Sequence, residues 1–371
     1  MWFPAAVLFL VLIQTPDYSA EGLKALDGGN YAAAVEQLSK AVAADPKDYA
    51  AHFNLALANS LLGKDNEAIA GYRTVLELKP GLYQAELNLG IVLIRAKQAR
   101  EAIPLLEAAV LEKPKELQPN LQLAEALLAG GEISRAEQYY RDSADLDPSL
   151  KDALLKVAVA YERGGQAPQA IEIYTQFPEN AAARERLGEL LIEAGKPAEA
   201  APHLEFAVGK SPTSANRVAL ATAYLRTNQA EKAAGQLQQA VQGEPRNFEL
   251  RMKYGRVVRD LKKYPAAGAE FMRATELQPN SIEAWSELAG ILVLVEDFPR
   301  ALAALDRVRQ LGGEAPGHFF LRAIMLDKMK QLQPALDNYR KFLTLADGKH
   351  PDEEFKARQR ARILERELGK R

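Results

Sequence analysis

The chain has 371 residues, with 47 basic and 49 acidic side chains and a formal net charge of −2 at neutral pH. Because neither sign of charge is in excess, composition gives no reason to expect nucleic acid or a charged membrane surface as a partner. The absence of cysteine excludes disulfides and thiolate metal sites, and it leaves the redox compartment undetermined.

The chain begins with an apolar segment. Residues 2–13 (WFPAAVLFLVLI) carry no charge, and a segment of this length matches the core of a signal peptide but is short for a bilayer-spanning helix. Ala20 is a candidate cleavage position, although Tyr18 is large for such a site and no basic side chain precedes Lys24. We expect residues 1–20 to be a signal peptide and the protein to be periplasmic or secreted. The alternatives are an uncleaved membrane anchor, or an apolar cap on the first repeat of a cytoplasmic protein.

A constant interval runs through the chain and separates four prolines that each close a helix-forming stretch: Pro46, Pro80, Pro114 and Pro148. Sequence periods of about 20 to 50 residues indicate stacked supersecondary units, and a period of about 34 residues is typical of one two-helix repeat in particular. Each unit has a small residue in its first helix, at Gly22, Ala56, Gly90, Ala124, Ala158, Gly188, Ala221, Gly255, Ala289 and Ala323. Each second helix has an alanine followed four residues later by a large side chain: Ala34 and Leu38, Ala68 and Tyr72, Ala102 and Leu106, Ala136 and Tyr140, Ala170 and Tyr174, Ala200 and Leu204, Ala233 and Leu237, Ala267 and Phe271, Ala301 and Leu305, Ala335 and Tyr339. Since helices approach closely only where the contact residues are small, this pattern predicts tightly crossed helix pairs.

The pattern resembles the tetratricopeptide repeat (TPR). The resemblance implies an all-α fold, an α-α superhelix or TPR solenoid of about ten helix-turn-helix repeats with a C-terminal capping helix. The expected repeats are 15–48, 49–82, 83–116, 117–150, 151–180, 181–213, 214–247, 248–281, 282–315 and 316–349. The large aromatic residue that the family has near the start of each unit is present only as Tyr18, Trp285 and Phe319.

The fifth repeat is four residues shorter than the repeats before it and ends near Pro178. Because the residue before a proline disfavours the α conformation, the second helix of this repeat should stop before Pro178. We therefore expect repeats 1–5 (15–180) and repeats 6–10 (181–349) to behave as two segments.

The C-terminal segment, 350–371, is expected to cap the tenth repeat. Ala357, Ala361, Leu364 and Leu368 form an apolar stripe at helical spacing that can cover the end of the array. Glu354 and Arg358 stand one turn apart and are expected to face water.

No pattern in the sequence indicates catalysis. The histidines lie in different repeats without metal-ligand spacing: His52, His203, His318 and His350. The glycine pairs at 28–29 and 164–165 follow no predicted strand and so do not resemble phosphate loops. We expect no enzymatic activity, no metal and no cofactor.

The resemblance places the first helices on the concave wall of the array, where one face of each helix lines a groove. In repeats 2 to 4 this face carries an apolar strip made of Phe53, Leu57, Leu61, Leu87, Ile91, Ile94, Leu121 and Leu128. Exposed apolar patches commonly mark binding sites, so an apolar or amphipathic peptide is the expected ligand. The alternative is that neighbouring helices or the N-terminal segment bury the strip.

Three side-chain amides lie beside this strip at the same interval as the prolines: Asn54, Asn88 and Gln122. An amide offers both a donor and an acceptor, so a regular row could hold the backbone of an extended peptide. Asparagine is also common here in ordinary TPR sequences, and a structural role is the alternative.

Farther along the chain the groove face becomes charged. Glu185, Glu189 and Glu193 share one face of the sixth repeat, and Arg256 and Arg259 follow two repeats later beside Met252. An acidic region followed by a basic one could orient a charged partner. A solvated surface is the alternative.

These patterns predict a non-enzymatic scaffold or adaptor that binds segments of partner proteins in its groove. The expected partners are proteins or peptides rather than nucleic acid, and a membrane only if the N-terminal segment is retained. The alternative function is a structural component of a cell-envelope complex that acts through its convex face or its ends.

Overall fold

The computed structural model describes residues 17–369 and contains, within that range, twenty-one α-helices, one 3-10 segment and no strand. The first helices of ten consecutive pairs are α1 (Tyr18–Asp27), α3 (Tyr49–Leu61), α5 (Tyr83–Arg95), α7 (Leu117–Gly130), α9 (Leu154–Arg163), α11 (Ala181–Glu193), α13 (Ser214–Arg226), α15 (Phe248–Asp260), α17 (Ile282–Leu294) and α19 (Pro316–Lys328). The second helices are α2 (Tyr31–Ala44), α4 (Asp65–Leu78), α6 (Ala99–Glu112), α8 (Ile133–Leu146), α10 (Ala167–Thr175), α12 (Pro197–Lys210), α14 (Ala230–Gly243), α16 (Tyr264–Leu277), α18 (Phe298–Gln310) and α20 (Leu332–Ala346). The 3-10 segment Pro148–Ala153 precedes α9, and α21 (Pro351–Leu368) follows the last pair. Each pair lies inside one repeat expected from the sequence, so the prediction of ten helix-turn-helix repeats is confirmed.

Contacts divide the chain into two compact units, unit 1 (Met1–Ile173) and unit 2 (Tyr174–Arg371). The division falls within α10, which has 9 residues where α12 has 14. Helix α10 ends at Thr175 because Pro178 disfavours helical conformation in the residue before it. The boundary expected from the sequence, between residues 180 and 181, lies a few residues farther along the chain.

Every helix pair turns through one residue in the left-handed conformation. Glycine takes this position in five turns, at Gly29, Gly63, Gly131, Gly165 and Gly195. In the other five turns the residue has a side chain: Lys97, Asn228, Lys262, Glu296 and Lys330, with φ between 58° and 62°. The left-handed conformation costs such a residue about 1 to 2 kcal/mol, so packing of the helix pair must maintain these turns.

The landmark residues of the sequence form the core of each pair. The ten small first-helix residues and the twenty second-helix landmark residues are all buried. At Gly188 an added Cβ would lie 2.5 Å from Cγ of Leu204, which is fully buried and therefore has little room to move. Gly90 approaches Leu106 in the same way. The expected close crossing of the two helices is therefore confirmed.

The backbone carbonyls of several prolines that precede first helices accept hydrogen bonds. Five side chains near the starts of first helices lie 2.8 to 3.4 Å from the carbonyl of the proline six residues earlier: His52 with Pro46, Asn120 with Pro114, Arg184 with Pro178, Arg251 with Pro245 and Trp285 with Pro279. Trp285 is the aromatic residue typical of this position. In the four other repeats of this set, a side chain of a different type makes the same contact with the proline carbonyl. Each contact links a first helix to the turn that precedes it.

Arg251 also forms a buried ion pair within unit 2. Its side chain is 5% exposed, and its Nη1 lies 2.5 Å from Oε2 of Glu270, whose side chain is 15% exposed. Arg251 and the exposed Arg273 both line two adjoining cavities of about 630 and 400 Å³ at α15 and α16, and α14 contributes to the smaller one. Arg251 stands at the position that Trp285 occupies in the next repeat. The eighth repeat therefore has a buried ion pair where the ninth has an aromatic side chain.

Helix α21 covers the end of the tenth repeat, as the sequence predicts. Ala357, Ala361 and Leu364 are buried in one cluster with residues of α19 and α20, and Leu368 packs against it. Arg360 holds the helix with two hydrogen bonds to Asp327, at 2.5 and 2.8 Å.

The expectation that Glu354 faces water was wrong. Glu354 is 3% exposed and accepts hydrogen bonds from the His350 backbone N–H and from Arg358. A carboxylate in the first turn of α21 satisfies a free backbone donor, which favours this inward position.

Candidate functional site

The first helices of unit 1 carry the residues that the sequence places in a peptide-binding groove. Leu61 is the most accessible of them, with 49% of its surface exposed. Most of the others are partly exposed: Phe53, Asn54, Leu57, Asn88, Ile91, Ile94, Leu121, Gln122 and Leu128. Phe53, Leu57 and Leu61 follow one another at i, i+4 and i+8, which aligns them along one face of α3.

Leu87 does not belong to an accessible strip. It is 5% exposed, so a ligand could reach it only if neighbouring side chains moved. Helix α5 contacts α3 on one side and α7 on the other, and these neighbours cover part of its face. The alternative of burial between first helices therefore applies at this position.

An apolar pocket of about 210 Å³ opens on the first helices of unit 1. Its lining comes from the first half of α3 and from the start of α5: Tyr49, Ala50, Phe53, Asn54, Leu82 and Gln84. Sequence reasoning named Phe53 and Asn54 but missed the other four. A signal was present in the tyrosines that begin α3 and α5, because Tyr49 and Tyr83 are themselves separated by one repeat length.

Tyr72 of α4 contacts two of the residues predicted in the groove, Phe53 and Asn88. The ring of Phe53 meets the fully buried ring of Tyr72 edge-on, with 5.6 Å between the ring centres. The Tyr72 hydroxyl accepts a hydrogen bond of 3.2 Å from Asn88 Nδ2. Burial raises the pKa of Tyr72 to about 12, so its hydroxyl stays protonated.

The three amides of the predicted row differ in availability. Asn88 is engaged by Tyr72, whereas Leu38 and Leu106 occupy the equivalent of the Tyr72 position relative to Asn54 and Gln122 and have no hydroxyl. Within residues 17–369 the side chains of Asn54 and Gln122 make no hydrogen bond. These two amides therefore remain available to a ligand, while Asn88 has a structural role as well.

The uncharged part of this face ends in the fifth repeat. Lys156 takes the place that Asn88 and Gln122 occupy in earlier repeats, and its Nζ lies 2.6 Å from Glu125 on α7. The row of uncharged side-chain amides on this face is therefore limited to α3, α5 and α7.

Of the three glutamates predicted on the groove face of unit 2, Glu189 has a basic neighbour. Glu189 lies 2.5 Å from Arg186, which tends to keep it ionised. Partial burial, reinforced by the charges of Glu185 and Glu193, nevertheless raises the pKa of Glu189.

Arg256 and Arg259 do not form a free basic surface. Arg256 contacts Glu283 and Glu287 on α17, and Arg259 lies 2.5 Å from Glu287 and 3.0 Å from Asp260. Met252, expected on the same face, is 1% exposed. The expectation of a basic groove fails here because the next first helix supplies the opposite charges.

Models of the tetratricopeptide repeat match residues 19–83, 93–149, 152–181, 173–215 and 218–282. Together these matches cover more than half of the chain. The chain belongs to the tetratricopeptide repeat family.

This TPR protein is similar to the photosystem I assembly protein Ycf3 of Acaryochloris marina, with 37% identity over 95 residues. The match covers 24% of this chain and 57% of that protein, so the chain spans little more than half of this curated relative. A chain of the Naa15–Naa10 complex bound to HypK-THB is similar in fold, with a TM-score of 0.52 and 15% identity over 93% of this chain and 65% of that one. MamA (41-end) of Desulfovibrio magneticus RS-1 aligns with a TM-score of 0.39 and 23% identity, over 43% of this chain and 90% of that one.

Two features are absent from residues 17–369 of the TPR protein. In that range no helix is long and apolar enough to cross a bilayer. The same residues contain no group of three or more histidines and carboxylates that could hold a metal ion.

Proposed function

We propose that this TPR protein is a scaffold or adaptor that binds a segment of another protein along the first helices of unit 1. The observation that carries the proposal is the apolar pocket at Phe53 and the unused amide of Asn54 on its wall. An apolar side chain of the partner would fill the pocket, and Asn54 would hydrogen-bond to the partner's backbone. An apolar or amphipathic peptide meets both requirements.

The rest of α3 supports the same partner. Leu57 and Leu61 continue the face of Phe53 for two further helical turns, and Leu61 is 49% exposed. A partner segment that lies along α3 would cover these side chains as well as the pocket. The second available amide, Gln122 on α7, would extend the contact across the unit.

The proposal assigns no catalysis and no cofactor to the chain. It agrees with membership of a family whose members typically act as non-catalytic scaffolds.

We expect the double substitution Leu57→Glu, Leu61→Glu to weaken partner binding by about 30-fold or more, as loss of a binding hot spot of about 2 kcal/mol does. The measurement is recovery of partners from a cell-envelope fraction by the immobilised full chain. Leu111→Glu is the matched control, because Leu111 is 84% exposed on the second helix α6. Circular dichroism should show equal helix content in all three proteins. Unchanged recovery with the double variant would contradict the proposal.

A structural role in assembling an envelope complex is the second candidate. Leu111 on α6 is the most exposed large apolar residue of the described chain, and it lies outside the first-helix face. The curated relative Ycf3 is itself described as an assembly protein. Under this alternative the Leu111→Glu control would lose its partners, and the double variant on α3 would keep them.

Export to the periplasm or the medium is part of the proposal and rests on the apolar residues 2–13, which lie outside the described residues. N-terminal sequencing of the protein isolated from its native cells tests it. A new N-terminus near Glu21 is expected, and a chain that retains Met1 would contradict cleavage.

A further inference from the structure

We propose that the pocket formed by Tyr49 and Phe53 receives one aromatic side chain of the partner, and that Lys79 selects segments in which an acidic residue adjoins this aromatic. The inference rests on the proposed function. It names the chemistry of the segment that unit 1 would bind.

The size of the pocket suits a single ring. Its volume of about 210 Å³ is smaller than the roughly 300 Å³ at which pockets for whole small molecules begin. A cavity of about 150 Å³ holds benzene, so this pocket has room for a phenyl ring and the carbon that attaches it. Tyr49 and Phe53 offer ring edges and faces on its wall, and aromatic pairs gain beyond simple burial when they meet edge-to-face.

A lysine without a carboxylate partner contacts Tyr49, which lines the pocket. Nζ of Lys79 is 4.3 Å from the centre of the Tyr49 ring and donates a hydrogen bond of 3.1 Å to the Tyr49 hydroxyl. Within the described residues 17–369, no carboxylate lies within ion-pair distance of Lys79. Its charge is therefore held at a fixed place and is complementary to a carboxylate of the partner.

The next repeat shows the same arrangement with its charge neutralised. Lys113 lies 4.1 Å from the centre of the Tyr83 ring, but it forms an ion pair of 3.0 Å with Glu116. Glu116 also accepts a hydrogen bond of 2.8 Å from the Tyr83 hydroxyl. Leu82 occupies the place equivalent to Glu116 in the preceding repeat, so Lys79 has no carboxylate from the chain at that position.

The start of α5 contributes to the wall of the same pocket. Leu82 lines the pocket and is the N-cap residue of α5, where it offers no side-chain oxygen to the first backbone N–H groups. Other first helices have such an oxygen at this position, as at Asp48 and Ser281. A helix N-terminus attracts negative charge, but Glu86 already places a carboxylate in the first turn of α5. The selection for an acidic residue therefore rests on Lys79.

Selection of a random peptide library displayed on phage, with the immobilised full chain as target, tests the proposal. On the unchanged protein we expect enriched peptides to share one aromatic residue with Asp or Glu beside it. With Lys79→Glu as the target, the enriched peptides should carry Lys or Arg in place of the acidic residue. The same substitution should weaken binding of a selected acidic peptide by about five- to tenfold, because a surface ion pair is lost and a repulsion is added. Lys79→Gln should abolish the charge preference and keep the aromatic.

Two further variants serve as controls for the pocket and for the charge. Ala50→Trp places a ring in the pocket itself, because Ala50 is an exposed lining residue, and should abolish enrichment of aromatic peptides. Lys47→Glu makes the same charge change at an exposed lysine outside the pocket and should leave the selected peptides unchanged.

The outcomes separate this inference from the proposed function. Peptides that bind the unchanged protein and lose binding with Leu57→Glu, Leu61→Glu, but lack the acidic residue, would overturn the inference and leave the proposed function standing. Enrichment of uncharged apolar peptides that resemble residues 2–13, unaffected by Lys79→Glu, would also overturn it and would point to the chain's own N-terminal segment as the occupant. Failure to enrich any peptide would contradict both.

Discussion

Replacement of Arg251 by alanine should lower the free energy of unfolding of unit 2 by about 3 kcal/mol, because it leaves Glu270 largely buried without its partner. The Glu270 side chain is only 15% exposed, and Arg251 Nη1 is its ion-pair partner at 2.5 Å. The substitution also removes the hydrogen bond of 2.8 Å from Arg251 Nε to the Pro245 carbonyl. Urea unfolding followed by circular dichroism measures the loss.

Arg273→Ala provides the matched control for this prediction. Arg273 lines the same two cavities but is exposed, so its loss should change the free energy of unfolding by no more than about 0.5 kcal/mol. The double variant Arg251→Met, Glu270→Leu should recover most of the stability, because removing both charges leaves none buried alone. If Arg251→Ala were as stable as the unchanged protein, Glu270 would be freely hydrated and the prediction would be wrong.

Leu364→Glu should detach the capping helix α21 from the tenth repeat. Leu364 is fully buried in the cluster that contains Tyr339 and Phe342, and an unpaired charge placed there should cost more than about 4 kcal/mol. Detachment would expose apolar surface at the end of unit 2, so self-association should follow. Hydrogen exchange at Pro351–Leu368 and light scattering would measure both effects.

The neighbouring residue supplies the control for the capping helix. Ile363 is 44% exposed, so Ile363→Glu introduces the same charge one position earlier without burying it. We expect protection of α21 from hydrogen exchange to stay the same in this variant. Equal loss of protection in both proteins would mean that charge on α21, rather than burial of Leu364, disrupts the helix.

The repeat architecture could be predicted from the sequence because its packing requires particular residues at fixed places. Gly188 cannot carry a Cβ beside Leu204, and the other crossings impose similar limits. Such restrictions appear directly as small and large residues at constant spacing. The short fifth repeat could also be predicted, because Pro178 limits the length of α10.

The candidate site was only partly predictable, because spacing identifies a helix face but not what the neighbouring helices place against it. Leu87 has the spacing of a groove residue, yet it is 5% exposed. Arg256 and Arg259 have the spacing of a basic surface, but both form ion pairs with Glu287 of the next first helix. The pocket wall formed by Tyr49 and Gln84 combines two repeats, so the pattern of a single repeat does not contain it.

The left-handed turns have a consequence for how the repeats could be strengthened. Four of the five turns with a side chain fall in the last four helix pairs, at Asn228, Lys262, Glu296 and Lys330. Backbone strain is therefore concentrated toward the C-terminal end, where the turns between helices are held by packing rather than by local preference. Replacement of Lys262, Glu296 or Lys330 by glycine would relieve this strain without altering a core residue or the candidate site.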